Sequence, residues 1–273
     1  MDIFDLKALL ISALIFIPLE QLLAERPQKV LRKGVATDLA YALFNGLLIK
    51  AALVLVGAGA IGAAAALLPN WVGTALRGQA IWLQVAEIIV IADVGLYAAH
   101  RAFHAIPWLW KFHAIHHSIE EIDWLASFRS HPIDTIATKA VSLLPVYFLG
   151  FSGEAMVIFA LIEQGHSLVL HSNIRLPLGP LKVIVAGPQF HHWHHANRRE
   201  AYDKNFASQL ALLDAIFGTY QVPGNTLPDR YGVDDPVPSS YFGQAGYPFI
   251  KAKAPDQATG LEGVAPTTKL AKT

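Results

Sequence analysis

The chain predicts an all-α, multi-pass integral membrane bundle of about four to five membrane helices, with a histidine-lined di-metal site on the cytoplasmic side. Three observations predict it. Of 273 residues, 53% are hydrophobic and only 15% charged, against about 25% charged in soluble domains, and the mean hydropathy is +0.39. Apolar runs of roughly bilayer length recur along the chain, a 30 Å hydrocarbon core needing about 20 helical residues. Finally, all 12 histidines fall between residues 100 and 195, in groups at helical spacing.

The same composition excludes other classes. Net charge is zero, so nothing calls for nucleic acid or another polyanion. There is no cysteine, which removes disulfides, thiolate metal sites and cysteine nucleophiles.

Three regions are expected: membrane helices over 1–84, a catalytic region over 85–250 and a disordered tail over 251–273. Residues 6–23 form a first apolar run, ending near Pro18 and Glu20 in a kink or an emergence into the interface. Asp2 and Asp5 replace a basic leader, so this run reads as an anchor that stays. Arg26, Lys29, Arg32 and Lys33 form the densest basic cluster, which the positive-inside rule assigns to the cytoplasm.

Residues 38–68 read as one long, tilted helix in which Gly57, Gly59 and Gly62 allow close helix approach. Trp71 and Trp82 flank a connection on the non-cytoplasmic side. A third span over about 80–99 delivers His100 and His104 to the cytoplasmic face. Residues 135–171 read as two helices joined near Gly150-Phe-Ser-Gly153, the first short and holding Lys139 and Pro145. An amphipathic helix over about 203–217 then places Phe206, Leu210, Leu213 and Phe217 on one face.

His100 and His104 are four apart, about 40° from each other around a helix. His113, His116 and His117 stand at i, i+3 and i+4, and His191, His194 and His195 repeat that spacing. A lone histidine is ordinarily a hydrogen-bonded core residue; three same-face groups, with no histidine outside residues 100–195, point to metal. Imidazole suits Zn, Cu, Fe and Ni, and eight such ligands suit two ions rather than one. A hydrolytic zinc site needs about three protein ligands, so eight favour a dinuclear centre, although spacing alone does not separate iron from zinc. Asp93 precedes His100 by seven residues and so lies within about 20° of it. From there it could accept a ligand histidine's outer N–H, the alternative being a helix–helix hydrogen bond.

These boxes, with Asp93-x3-Tyr97-x2-His100-Arg101, Arg129-Ser-His131-Pro132, His171-Ser-Asn173, Lys204-Asn205-Phe206-Ala207 and Asp214-Ala-Ile-Phe-Gly-Thr219, resemble the fatty acid hydroxylase superfamily, also called the sterol desaturase family. The resemblance covers roughly residues 85–250. It implies a membrane-embedded enzyme that uses two irons, O2 and an external electron donor to hydroxylate or desaturate an unactivated lipid C–H bond. It also implies His171 as a ninth ligand. Some relatives of this kind have a further histidine four residues earlier, where this chain has Ser167.

His131, His166, His192 and Asp214 are expected behind the ligands rather than on the metals. The sequence has no fused cytochrome b5 motif, dinucleotide fingerprint or cysteine cluster, so electrons from NAD(P)H are expected through a separate redox protein. The substrate class stays open among sterol, fatty acyl chain, alkylglycerol and carotenoid. A membrane metal transporter is the competing reading, but transporters place their sites mid-membrane, between repeats. A bacterial inner membrane is the expected location. A lid made of Phe206, Leu210 and Phe217 is expected to close over the lipid.

Overall fold

The structure, a computed structural model, describes residues 3–224 and 227–250. The tail expected over 251–273 lies outside the described residues. Five helices are long: α1 (Ile3–Leu22), α3 (Gly46–Leu67), α5 (Ile81–Ala105), α7 (Pro132–Leu149) and α8 (Gly153–His171). Between and after them lie α2 (Val35–Phe44), α4 (Asn70–Arg77), α6 (Pro107–His117), α9 (Pro188–His194), α10 (Leu212–Phe217) and α11 (Tyr241–Gly246). Among the described residues there is no strand beyond two isolated bridges. The helices α3, α5 and α8 are long and apolar enough to cross a membrane; α1 and α7 are not among them.

α5, α7 and α8 pack through Val85, Ile88 and Ala92 against Val146, Phe151, Ala155 and Phe159. Gly95 lets α5 and α7 touch backbone to backbone: a Cβ there would stand 2.8 Å from the Ser142 Cα. The Ser142 hydroxyl donates to the Ala92 carbonyl at 2.7 Å beside it. Of the glycines singled out in α3, Gly57 meets the Tyr147 ring, whereas Gly59 and Gly62 have nothing within reach of a Cβ. Only the first therefore serves close packing within this chain.

The turns set direction. Gly150 adopts φ 77° after α7, a left-handed helix end that glycine takes without penalty. Ser152 then caps α8 by accepting from the Ala155 N–H. Pro107 opens α6 at its first position, where its missing N–H costs nothing. α5 and α8 thus end at the same end of the bundle, where α6 and α7 begin.

Three expectations are corrected. The helix expected over 38–68 is broken at Asn45, whose amide donates to the Ser130 carbonyl at 3.1 Å and accepts from the Tyr241 hydroxyl at 2.9 Å. Glu20 does not emerge into an interface: it is buried, and its carboxylate accepts the N–H groups of Trp124 at 2.8 Å and Asn173 at 2.9 Å. The helix expected over 203–217 forms only as α10. Residues 203–211 instead form a loop in which Asp203 and Asn205 take positive φ values, and its N–H groups turn inward onto two carboxylates.

Candidate metal centre

Nine histidines converge at that end, in two groups whose ligand atoms lie within 4.8 Å of one another. His100, His104, His113, His117 and His194 form one group; His116, His171, His191 and His195 form the other. The grouping follows helix geometry. Each i, i+4 pair stays together, namely 100 with 104, 113 with 117 and 191 with 195. The i+3 member of each His-x2-His-His box, His116 or His194, crosses to the other group. The boxes are therefore interlaced rather than each serving one ion. The position that would give His171 an i, i+4 partner is Ser167, and the second group accordingly has four members.

Hydrogen bonds behind the rings set the tautomers. His100 Nδ1 donates to the Phe206 carbonyl at 2.7 Å, and His113 Nδ1 to the Asp134 carboxylate at 2.8 Å. His116 donates to the Arg129 carbonyl at 2.9 Å, His171 to Ser167 at 2.8 Å and His194 to Lys204 at 2.7 Å. A carbonyl only accepts, so the proton sits on Nδ1 and Nε2 presents a bare lone pair. Yet His100 Nε2 faces His113 Nε2 at 2.9 Å, and His171 Nε2 faces those of His191 and His116 at 2.9 and 3.3 Å. Acceptors opposed at such distances repel unless a cation lies where they converge. The buried Nε2 atoms of His104 and His194 have no hydrogen-bond partner either. These are the requirements of a metal site, and the donor set fits two divalent transition ions.

Burial, and then neighbouring imidazoles, hold His113, His117, His194 and His195 well below the usual histidine range. They are neutral at neutral pH and ready to bind metal.

Asp93 does not touch a histidine. Its carboxylate accepts the backbone N–H groups of Ser208 at 2.9 Å, Gln209 at 3.1 Å and Leu210 at 2.6 Å. Asp214 accepts those of Phe206 and Ala207, both at 2.8 Å, and the Thr219 hydroxyl at 2.6 Å. Both clamp the loop whose carbonyls, at Lys204 and Phe206, hold His194 and His100.

His131, His166 and His192 stand outside both groups. His131 caps α7, accepting from the Ile133 N–H. His166 bonds the Ala186 carbonyl, and His192 bonds the Tyr231 hydroxyl. Phe206, Leu210 and Phe217 do not share a helix face. Phe206 is buried against His104, with ring centroids 5.1 Å apart. Phe217 is 53% exposed and stacks on Tyr97.

Sequence reasoning missed Asp134 and Asp203, the latter 3.5 Å from His104 Nδ1. A carboxylate five residues after Arg129, at the head of an apolar helix, was the available signal for Asp134. The Arg129 side chain is itself bound by Asp38. Asp38 also pairs with Arg32 at 2.7 Å, and Arg32 bonds Asp123 at 2.6 Å.

Fold and site together define a helical protein with membrane-length helices and a nine-histidine, two-group candidate metal centre. Residues 85–219 match the sequence model of the fatty acid hydroxylase family, and the chain belongs to that family. The ornithine lipid hydroxylase OlsE of Rhizobium tropici is 32% identical over 168 residues, covering 62% of this chain and 51% of that protein. The alkylglycerol monooxygenase of Homo sapiens is 31% identical over 147 residues, 53% of this chain and 32% of the relative. A fatty acid hydroxylase of a Lecanicillium species is 25% identical over 158 residues, 51% and 42% of the two chains. The chain thus matches about a third to a half of these relatives' lengths. No solved structure matches it.

Proposed function

We propose that this chain is a membrane-bound, O2-dependent di-iron oxygenase that hydroxylates an unactivated C–H bond of a lipid. The observation that carries the reading is the pair of adjoining histidine groups with opposed, proton-free Nε2 atoms. The hydroxylase and monooxygenase names of the relatives favour hydroxylation over desaturation. Two irons, when bound by the nine histidines, supply the activation of O2 that the carbon chemistry needs. In balance, one oxygen atom enters the C–H bond and the other leaves as water, with two electrons and two protons. The electrons come from NAD(P)H through a separate redox protein at the cytoplasmic face of a bacterial inner membrane.

The chain's own residues supply position and dryness. Asp134 and the carbonyls of Arg129, Ser167, Lys204 and Phe206 hold the imidazoles as Nε2 ligands. Phe206, 1% exposed, seals the five-histidine group on one side. Metal transport is the weaker reading, because the ligands sit at helix ends at one end of the bundle and are almost fully buried.

The test joins metal analysis of purified protein with lipid profiles of cells with and without it. Two irons per chain and an oxygenated lipid that disappears with His195→Ala are expected, while His192→Ala keeps both metals. Zinc or no metal in active protein, or loss of metal in His192→Ala equal to that in His195→Ala, would sink the reading.

A further inference from the structure

A cavity of about 380 Å³ lies directly over one of the two histidine groups. His104, His117 and His194 line its floor, all from the five-histidine group, while no member of the four-histidine group reaches it. Its size is that of a small-molecule site. Trp110 and Tyr202 form walls, and Asp203, Asp234 and Asp235 line it as well. No lysine or arginine does. Asp234 is matched by Arg230 at 2.5 Å and accepts from the Asn197 amide at 3.0 Å. Among the side chains of the described residues, Asp235 receives only the Trp110 indole N–H, at 3.2 Å. Asp203 is 72% exposed and leans on His104 at 3.5 Å. Among the described residues the cavity thus offers two carboxylates that no lysine or arginine approaches to ion-pair distance and two aromatic walls, a combination that favours an organic cation.

Part of the lining is apolar. Pro107 lines the cavity at the α5–α6 corner, and the adjacent Ile106 and Trp108 are 47% and 58% exposed. That corner ends a helix of membrane-crossing length, the direction from which an acyl chain would enter. We propose that this cavity holds the amine-bearing polar head of the lipid substrate, with the tail leaving past Pro107. The C–H bond presented to the five-histidine group then belongs to the head, or to the carbons next to it, rather than to the far acyl chain. This deepens the lipid-oxygenase reading and rests on it for the reaction, though not for the binding.

The probes are N-octanoyl-ornithine and its twin with the side-chain amine acetylated, titrated into the full-length, metal-loaded protein in detergent micelles by calorimetry. The free amine is expected to bind at least about tenfold tighter, a difference of about 1.4 kcal/mol. Asp235→Asn is expected to shrink that preference to less than threefold with iron content unchanged. Trp110→Phe, which removes the N–H bound to Asp235, is expected to keep the preference. Equal affinity for the two probes overturns the proposal. So does an Asp235→Asn protein that loses iron while keeping the full preference, since the carboxylate would then serve only the metals' charge. A preference found in a protein without redox activity keeps the cavity assignment and removes the oxygenase reading. An oxygenated acyl terminus does the reverse.

Discussion

His113 has two constraints to meet. Its Nε2 must stay free for metal beside those of His100 and His117, at 2.9 and 3.2 Å, so its proton must go to Nδ1. Asp134 accepts that proton at 2.8 Å and also receives the Ser130 hydroxyl at 3.3 Å. An Asp134→Asn amide retains size but loses the charge that favours the proton on Nδ1. Metal affinity is expected to fall about 10–100-fold, the usual cost of losing such a support, with helicity unchanged. Retention of iron during dialysis against a graded chelator, with circular dichroism alongside, measures both. Unchanged retention would show that Asp134 is structural. Eight of the nine converging histidines were legible from spacing, because i, i+3 and i+4 relations are local, and His171 only from the family resemblance. Which group each one joins was not, since the crossing of His116 and His194 depends on how α6 and α9 face each other.

At the scale of elements, the loop over 203–211 shows where local patterning fails. Phe206, Leu210, Leu213 and Phe217 recur at helical spacing, and that spacing predicted a helix. Asp93, more than a hundred residues upstream, draws the N–H groups of Ser208, Gln209 and Leu210 inward and makes a better partner for them than a next helical turn. Buried N–H groups must be satisfied somewhere, and two carboxylates satisfy five of them here. Asp93→Asn turns one acceptor oxygen into a donor facing those N–H groups, at a cost of about 1.5–3 kcal/mol. The loosened loop withdraws the Lys204 and Phe206 carbonyls from His194 and His100. One iron per chain is therefore expected after gel filtration in chelator, the five-histidine group emptying while the four-histidine group holds. Loss of both irons together would mean that the loop serves the fold as a whole.

At the scale of the molecule, everything needed for the centre is gathered at one end of the bundle. α5 and α8 end there, α6 and α7 begin there, and α1 is tied to the same end where Glu20 holds the Trp124 and Asn173 N–H groups. The basic cluster over 26–33 is also at this end, though it is not a simple solvated patch. Arg32 is buried between Asp38 and Asp123, and Arg26 bonds the Pro228 carbonyl and lies 5.0 Å from the Tyr231 ring. Lys33, by contrast, pairs with Glu120 in the open. Part of the cluster that reads as a topology signal therefore also builds the fold, because buried arginine is kept only when paired. The opposite end has Arg77, bonded to the Gly150 carbonyl at 2.8 Å, and the exposed Trp71 and Trp82. On this asymmetry we propose that the metal end faces the cytoplasm, where a soluble reductase can reach it. A reporter fused after residue 273 is expected to read cytoplasmic, and one inserted at Gly78, between α4 and α5, to read outside. The same answer at both positions would show that α5 does not cross, and reversed answers would put the centre on the far side of the membrane, out of reach of a cytoplasmic electron donor.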